Sequence, residues 1–182
     1  MDYFIMRQEN GTVGLVQPVK GFSSLLNPAT EQKNEDLKTT VVIFKDSDSS
    51  EFPDYIEQYK LVSEKLKRIM SKYENDAVFK TVVLIEESTN RQKIYYHLAL
   101  PQIQCTSVQS VYTKLGNMKE FVLDEEKVGS TRIFCAENYK DRVFVRLDVA
   151  ESILRRDSYG VLFERVATGN RELEDHGSQL KE

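Results

Sequence analysis

The segment from Arg142 to Val166 constrains the fold more than any other part of the chain, because it combines a strand, a helix and a second strand in one short stretch. Val143, Val145 and Leu147 recur at every second position, the period of a half-buried β-strand. Gly160 permits a turn, and an extended pattern resumes after it. The sequence therefore predicts a compact strand–helix–strand unit in this region.

The helix of this unit has recognisable start and stop signals. Asp148 is predicted to cap its N-terminus, with Glu151 three residues later completing a pair that resembles a capping box. Arg155 and Arg156 fall in the last turn, where positive charge suits the negative end of the helix dipole. One helical face is predicted to pack into the core, and it consists of Val149, Ala150, Ile153 and Leu154.

Most of the other predicted elements are strands arranged as hairpin-like pairs. The clearest hairpin has Ser88–Asn90 as its turn. The predicted strands are rich in β-branched and aromatic residues, and they span Tyr3–Arg7, Thr39–Lys45, Phe79–Glu86, Lys93–Leu100, Phe121–Leu123 and Arg132–Ala136.

Two further segments have helical periodicity. Apolar residues from Asp54 to Tyr73 recur at steps of three and four, which predicts one long amphipathic helix. A short helix capped by Thr106 or Ser107 is also predicted, with a stop at Gly116. Its apolar residues are Val108, Val111, Tyr112 and Leu115. Together these elements predict an α+β fold with a mainly antiparallel sheet, one long amphipathic helix and the short C-terminal strand–helix–strand unit.

The 182 residues are expected to form one globular domain over 1–168, followed by a polar, disordered tail over 169–182. A net charge of -4 argues against nucleic acid or an anionic membrane as the main partner. The two cysteines are far apart in sequence, and the N-terminus lacks a signal-peptide pattern. We therefore expect a cytoplasmic protein.

No residue pattern indicates catalysis, a metal or a cofactor. Asp46, Asp48, Ser50, Asp54 and Glu57 fall at ligand positions of a calcium loop of the EF-hand type. However, Glu51 replaces the glycine of the sharp turn and a strand precedes the loop, so a solvated acidic loop is the preferred interpretation. A hydrolase centred on His97 is a further hypothesis, although no local nucleophile motif accompanies this residue.

The region from Tyr95 to Phe163 resembles a known family. The residues that carry the resemblance are Tyr95-Tyr96 before Pro101, Phe121 to Glu125, Ile133-Phe134, Val145 to Asp148, Ala150 to Arg156, Gly160 and Phe163. They resemble immunity-protein family eleven of bacterial polymorphic toxin systems, formerly a domain of unknown function. The helix with paired arginines, followed by glycine and an aromatic-bearing strand, is the most specific part.

The resemblance implies a non-enzymatic cytoplasmic protein that binds and neutralises a cognate toxin domain. It supplies no catalytic residues. An acidic surface suits a basic toxin, and Arg155 and Arg156 are further contact candidates beside their role at the helix end. The acidic candidates are Asp46, Asp48, Glu51, Asp54, Asp124, Glu125 and Glu126. The alternative is a non-catalytic interaction or regulatory module of a toxin or mobile-element locus.

Overall fold

The computed structural model describes residues 1–10, 17–20, 40–45, 52–87 and 89–169, which form mostly β-strands. Elements are numbered in chain order. The predicted α+β class with one long amphipathic helix is wrong, because the longest α-helix in these ranges has only 8 residues. The fold is instead built on two sheets whose apolar faces share a core with two short helices.

The first sheet has five strands and contains the N-terminus of the chain. In spatial order the strands are β14 (Val161–Arg165), β1 (Tyr3–Gln8), β13 (Tyr139–Arg146), β12 (Ile133–Ala136) and β8 (Gln102–Ile103). Every neighbouring pair is antiparallel except β12 and β8, which are parallel. The predicted strand near the N-terminus is confirmed as β1.

The second sheet has six strands, and the predicted hairpin forms its centre. Val82 lies opposite Tyr95 in this hairpin, and Asn90 adopts a left-handed φ of 56° in its turn. The strand that Thr39–Lys45 predicted is also present and pairs in parallel with the hairpin. In spatial order the strands are β2 (Gln17–Lys20), β3 (Thr40–Lys45), β6 (Val78–Glu86), β7 (Gln92–Ala99), β5 (Leu61–Val62) and β4 (Tyr55–Ile56).

The segment predicted as a long helix is broken into four pieces. Strands β4 and β5 form a tight hairpin around the 3-10 turn Glu57–Tyr59, and Lys60 closes it with a left-handed φ of 48°. Helix α1 (Glu64–Met70) begins only afterwards, where the Ser63 hydroxyl accepts a hydrogen bond from the Leu66 backbone N–H. The sheet pairing with β7 outweighs the helical periodicity, because it buries apolar side chains on both faces of the hairpin.

Helices α1 and α3 (Leu147–Leu154) lie against the core that the two sheets share. Apolar residues of α1 and α3 meet residues from both sheets in this core. The core includes Met6, Val143 and Val145 from the first sheet, Tyr55, Val62 and Leu98 from the second, and Leu66, Ile69, Met70, Val149, Ala150 and Ile153 from the helices. Burial of this set stabilises the packing of the two sheets and the two helices against each other.

The predicted strand–helix–strand unit is present as β13, α3 and β14, but two details differ from expectation. Asp148 does not cap α3, because its carboxylate is held by the Arg146 guanidinium through bonds of 2.8 and 2.7 Å. Leu154 is 56% exposed, whereas Ile153 is fully buried. The turn at Gly160, with φ 71°, is confirmed.

The helix predicted after Thr106 is also wrong. This region forms a small hairpin of β9 (Val111–Tyr112) and β10 (Met118–Glu120). Val108 and Leu115 are 98% and 88% exposed, so the apolar pattern does not mark a buried helical face. The chain then continues through β11 (Val122–Leu123), α2 (Glu125–Val128) and, after β14, β15 (Ala167–Thr168), which pairs with β11.

The tail predicted over 169–182 lies outside the described residues except for Gly169, whose N–H donates to the Leu123 carbonyl. The described helices are all too short or too polar to cross a lipid bilayer.

Candidate functional site

Three of the acidic candidates, Asp46, Asp48 and Glu51, lie outside the described residues, as does Ser50 of the calcium-loop pattern. Within the described ranges, no cluster of three or more His, Cys, Asp or Glu side chains is arranged to hold a metal ion. The acidic candidates within the described residues are Asp54 and the group around α2, which consists of Asp124, Glu125 and Glu126.

Asp54 is a structural residue whose side chain is only 14% exposed. One carboxylate oxygen accepts a 2.6 Å hydrogen bond from the Ser63 hydroxyl, and the other accepts a 2.9 Å bond from the Tyr159 N–H. The Lys65 ammonium lies 3.6 Å away. These hydrogen bonds connect the β4–β5 hairpin to the turn after α3. Because both carboxylate oxygens are already engaged, Asp54 has little capacity to accept further hydrogen bonds from a partner protein.

The acids around α2 differ in how much of their charge is available. Lys127 forms an ion pair with Asp124 at 3.0 Å and holds the pKa of that carboxyl below its usual value. Glu125 accepts a 2.7 Å bond from the ammonium group of Met1. Glu126 is exposed, and no described side chain forms an ion pair with it. Of this group, Glu126 is the residue best placed to contact another protein.

The paired arginines after α3 also differ from each other. Arg155 is bound to Glu151 one helical turn earlier, at 3.1 Å. Arg156 directs one guanidinium nitrogen to the backbone carbonyl and hydroxyl of Ser152, at 2.7 and 2.6 Å. Neither bond neutralises the charge of Arg156. Arg155 is therefore paired within the helix, whereas the charge of Arg156 remains available to a partner.

Arg156 lines an open cleft of about 490 Å³ between α1 and the end of α3. Helix α1 forms the wall of the cleft opposite Arg156. Its buried residues, Leu66, Ile69 and Met70, face the core, and its basic residues therefore lie on the outer side of the helix. Hydrogen bonds from Tyr96 and Arg68 lower the pKa of Glu64, which keeps it ionised beside the basic residues. The remaining lining residues are Lys65, Arg68, Ile69 and Lys72.

The sequence analysis did not identify this basic cleft. On α1, Glu64 forms ion pairs with Lys67 and Arg68, three and four residues later, at 3.8 and 2.9 Å. The cleft depends on α1 lying against α3, which are far apart in sequence. The local signal was the alternation of basic and apolar residues from Lys65 to Lys72.

His97 lies on β7, and its surroundings favour the neutral imidazole. Burial lowers the pKa of His97 to about 4, with a further contribution from the charges of Lys60 and Lys80. Its Nδ1 atom is buried and has no hydrogen-bond partner among the described residues. A base with so low a pKa is poorly matched to proton transfer near pH 7.

The two cysteines are free thiols buried in the protein interior. Burial raises the pKa of Cys105 to about 11, so its thiolate is scarce near neutral pH.

The chain was also compared with known proteins. No protein-family model matches it, and no curated protein sequence matches it.

Proposed function

We propose that this chain is a binding protein that neutralises a bacterial toxin domain. The observation that carries the proposal is the resemblance to the immunity-protein family between Tyr95 and Phe163, above all the run Ala150 to Arg156 followed by Gly160. Many residues of that resemblance, including Phe134 and Ile153, are buried. They support a common fold, while the exposed charged side chains supply the contacts to a partner.

Two charged surfaces of opposite sign support a mechanism based on association. One surface surrounds Glu126 on α2, and the other is the basic cleft that contains Arg156. Complementary charges accelerate the encounter of two proteins and select the correct orientation. A stable complex requires a total buried area of about 1,600 Å², so apolar and polar residues around these charges must contribute.

The chain acts by covering a surface of the toxin, and it acts in the cytoplasm, where the resemblance places such proteins. It forms no covalent bond with its partner. Neutralisation follows from occlusion of the active site of the toxin or of a surface needed for its activity. Inhibition therefore ends when the complex dissociates.

Co-expression with the toxin domain encoded in the neighbouring gene tests this function. Cells that produce the toxin together with this chain are expected to grow, whereas cells that produce the toxin alone are expected to stop growing. A folded chain that fails to restore growth contradicts the proposal. A complex that forms without restoring growth favours the alternative of a non-catalytic regulatory module in the same locus.

A further inference from the structure

We propose that the cleft between α1 and the end of α3 binds an acidic segment of the partner protein. This inference rests on the proposed function, because it identifies the part of the chain that receives the toxin domain and the chemistry of the segment received. The cleft is lined by the cations Lys65, Arg68, Lys72 and Arg156 and by one carboxylate, Glu64. Its local charge is therefore opposite to the net charge of -4 of the whole chain.

Two of these cations are available to a partner. Neither Lys72 nor Arg156 lies within ion-pair distance of a carboxylate in the described part of the chain. The bonds from Arg156 to Ser152 use only one guanidinium nitrogen, and they orient the side chain before any partner arrives. Such preorganisation reduces the entropy lost on binding. A guanidinium also matches the geometry of a carboxylate through paired hydrogen bonds.

The other two cations are paired with carboxylates and add little net charge to the cleft. The Lys65 ammonium donates to the Asp157 carbonyl at 2.8 Å and lies 3.6 Å from the Asp54 carboxylate. Arg68 is bound to Glu64 at 2.9 Å. The positive charge that a partner meets in the cleft therefore comes from Lys72 and Arg156.

The charge distribution favours protein carboxylates over nucleic acid. A nucleic-acid strand requires a continuous basic track along its phosphates. The available positive charge is instead confined to one cleft of a protein with a sequence pI of about 5.4. A short run of Asp or Glu side chains fits this arrangement.

Fluorescence anisotropy with a labelled oligo-glutamate peptide and the full chain tests the inference without the toxin. The test variant is K72E/R156E. Its matched control is K114E/K119E, which makes the same change in net charge at two exposed lysines outside the cleft. We expect the test variant to weaken peptide binding by about tenfold or more, and the control to have less than about a threefold effect.

Two further measurements complete the design. K72E alone, which changes an exposed side chain without hydrogen bonds to the fold, is expected to weaken binding in the same direction. Binding is also expected to weaken as the salt concentration rises, because exposed charges are screened over about 8 Å at physiological ionic strength. Circular dichroism establishes that each variant is folded before its affinity is compared.

Three results of the binding assay overturn the inference. They are the absence of peptide binding, equal losses in K72E/R156E and K114E/K119E, and tighter binding of single-stranded DNA than of the peptide. Equal restoration of growth with and without K72E/R156E also overturns the inference, because the toxin is then neutralised through another surface. That result leaves the proposed function intact, whereas a wild-type chain that fails to restore growth contradicts the proposed function itself.

Discussion

Substitution of Glu57 probes the junction between the two sheets. Its carboxylate forms ion pairs with Arg142 on β13 and with Arg7 on β1, the latter at 3.1 Å. It also accepts a 3.0 Å hydrogen bond from the Gln8 N–H, and the Gln8 side chain accepts a 3.2 Å bond from the Glu57 N–H. These contacts join the 3-10 turn of the second sheet to two strands of the first.

The cost of the substitution follows from the burial of this group, because the Glu57 side chain is only 19% exposed and that of Arg142 only 23%. Removal of one partner from a fully buried ion pair costs about 3–5 kcal/mol, and an exposed pair is worth about 0–1 kcal/mol. We expect an intermediate loss of about 2 kcal/mol for Glu57→Gln, which keeps an acceptor for the Gln8 N–H. Glu57→Ala also removes that acceptor and is expected to cost about 3 kcal/mol.

Urea unfolding followed by circular dichroism measures both losses. Glu64→Gln is the matched control, because Glu64 also pairs with two cations, Lys67 and Arg68, but its side chain is 44% exposed. The control is expected to cost less than about 1 kcal/mol. If Glu57→Gln costs no more than Glu64→Gln, the junction does not contribute to stability in the way that its contacts indicate.

Three other predictions address the core, the pH dependence and the hairpin junction. Ile153→Ala is expected to cost about 2–5 kcal/mol and Leu154→Ala less than about 1 kcal/mol in urea unfolding, since only the first residue is buried; equal costs would contradict the orientation of α3. The pKa of His97 is about 4 in the folded protein, and its ordinary value is 6.5. As the pH falls, the unfolded state therefore binds a proton before the folded state does, and the folded state loses stability between pH 6.5 and about pH 4. The wild type should lose about 2 kcal/mol more than His97→Gln between pH 7 and pH 5, and parallel pH profiles would refute the assigned burial. Asp54→Ala should cost about 2–3 kcal/mol by removing the acceptor of the Ser63 hydroxyl and the Tyr159 N–H, and an unchanged urea midpoint would show that this junction is dispensable.

The elements that local sequence patterns determine were predicted most reliably. Strand β1, the β6–β7 hairpin and the β13–α3–β14 unit have strong alternation or clear turn residues, and they form close to the expected positions. Gly160 was predicted as a turn because glycine adopts turn conformations readily, and its φ of 71° confirms the turn. These signals need no information about distant parts of the chain.

The errors arose where contacts between distant segments decide the structure. The spacing of apolar residues from Asp54 to Tyr73 is that of a helix, but the first half of the segment joins the second sheet because β5 pairs with β7. Asp148 has the features of a helix cap, yet Arg146 provides a stronger, charged partner for its carboxylate. The exposed apolar residues of the β9–β10 hairpin were interpreted as a buried helical face because periodicity alone does not reveal exposure.

The candidate site was predictable only in part. Arg156 was identified from its position beside Arg155, but the sequence did not distinguish the available guanidinium from the internally paired one. Lys72 was not recognised, since its significance depends on the approach of α1 to α3. Asp54 was selected for its charge, and its hydrogen bonds to Ser63 and Tyr159 could not be anticipated from the local sequence.

The most direct test of the proposed function is a titration of the purified toxin domain that it requires with this chain, while toxin activity is monitored. A binding protein that acts by occlusion is expected to abolish activity at one chain per toxin domain and to leave proportional activity below that ratio. Toxin separated from the complex by denaturation and then refolded is expected to regain the same activity as free toxin carried through the same treatment. Complete inactivation by a small fraction of an equivalent, or permanent loss of activity after separation, would contradict the account.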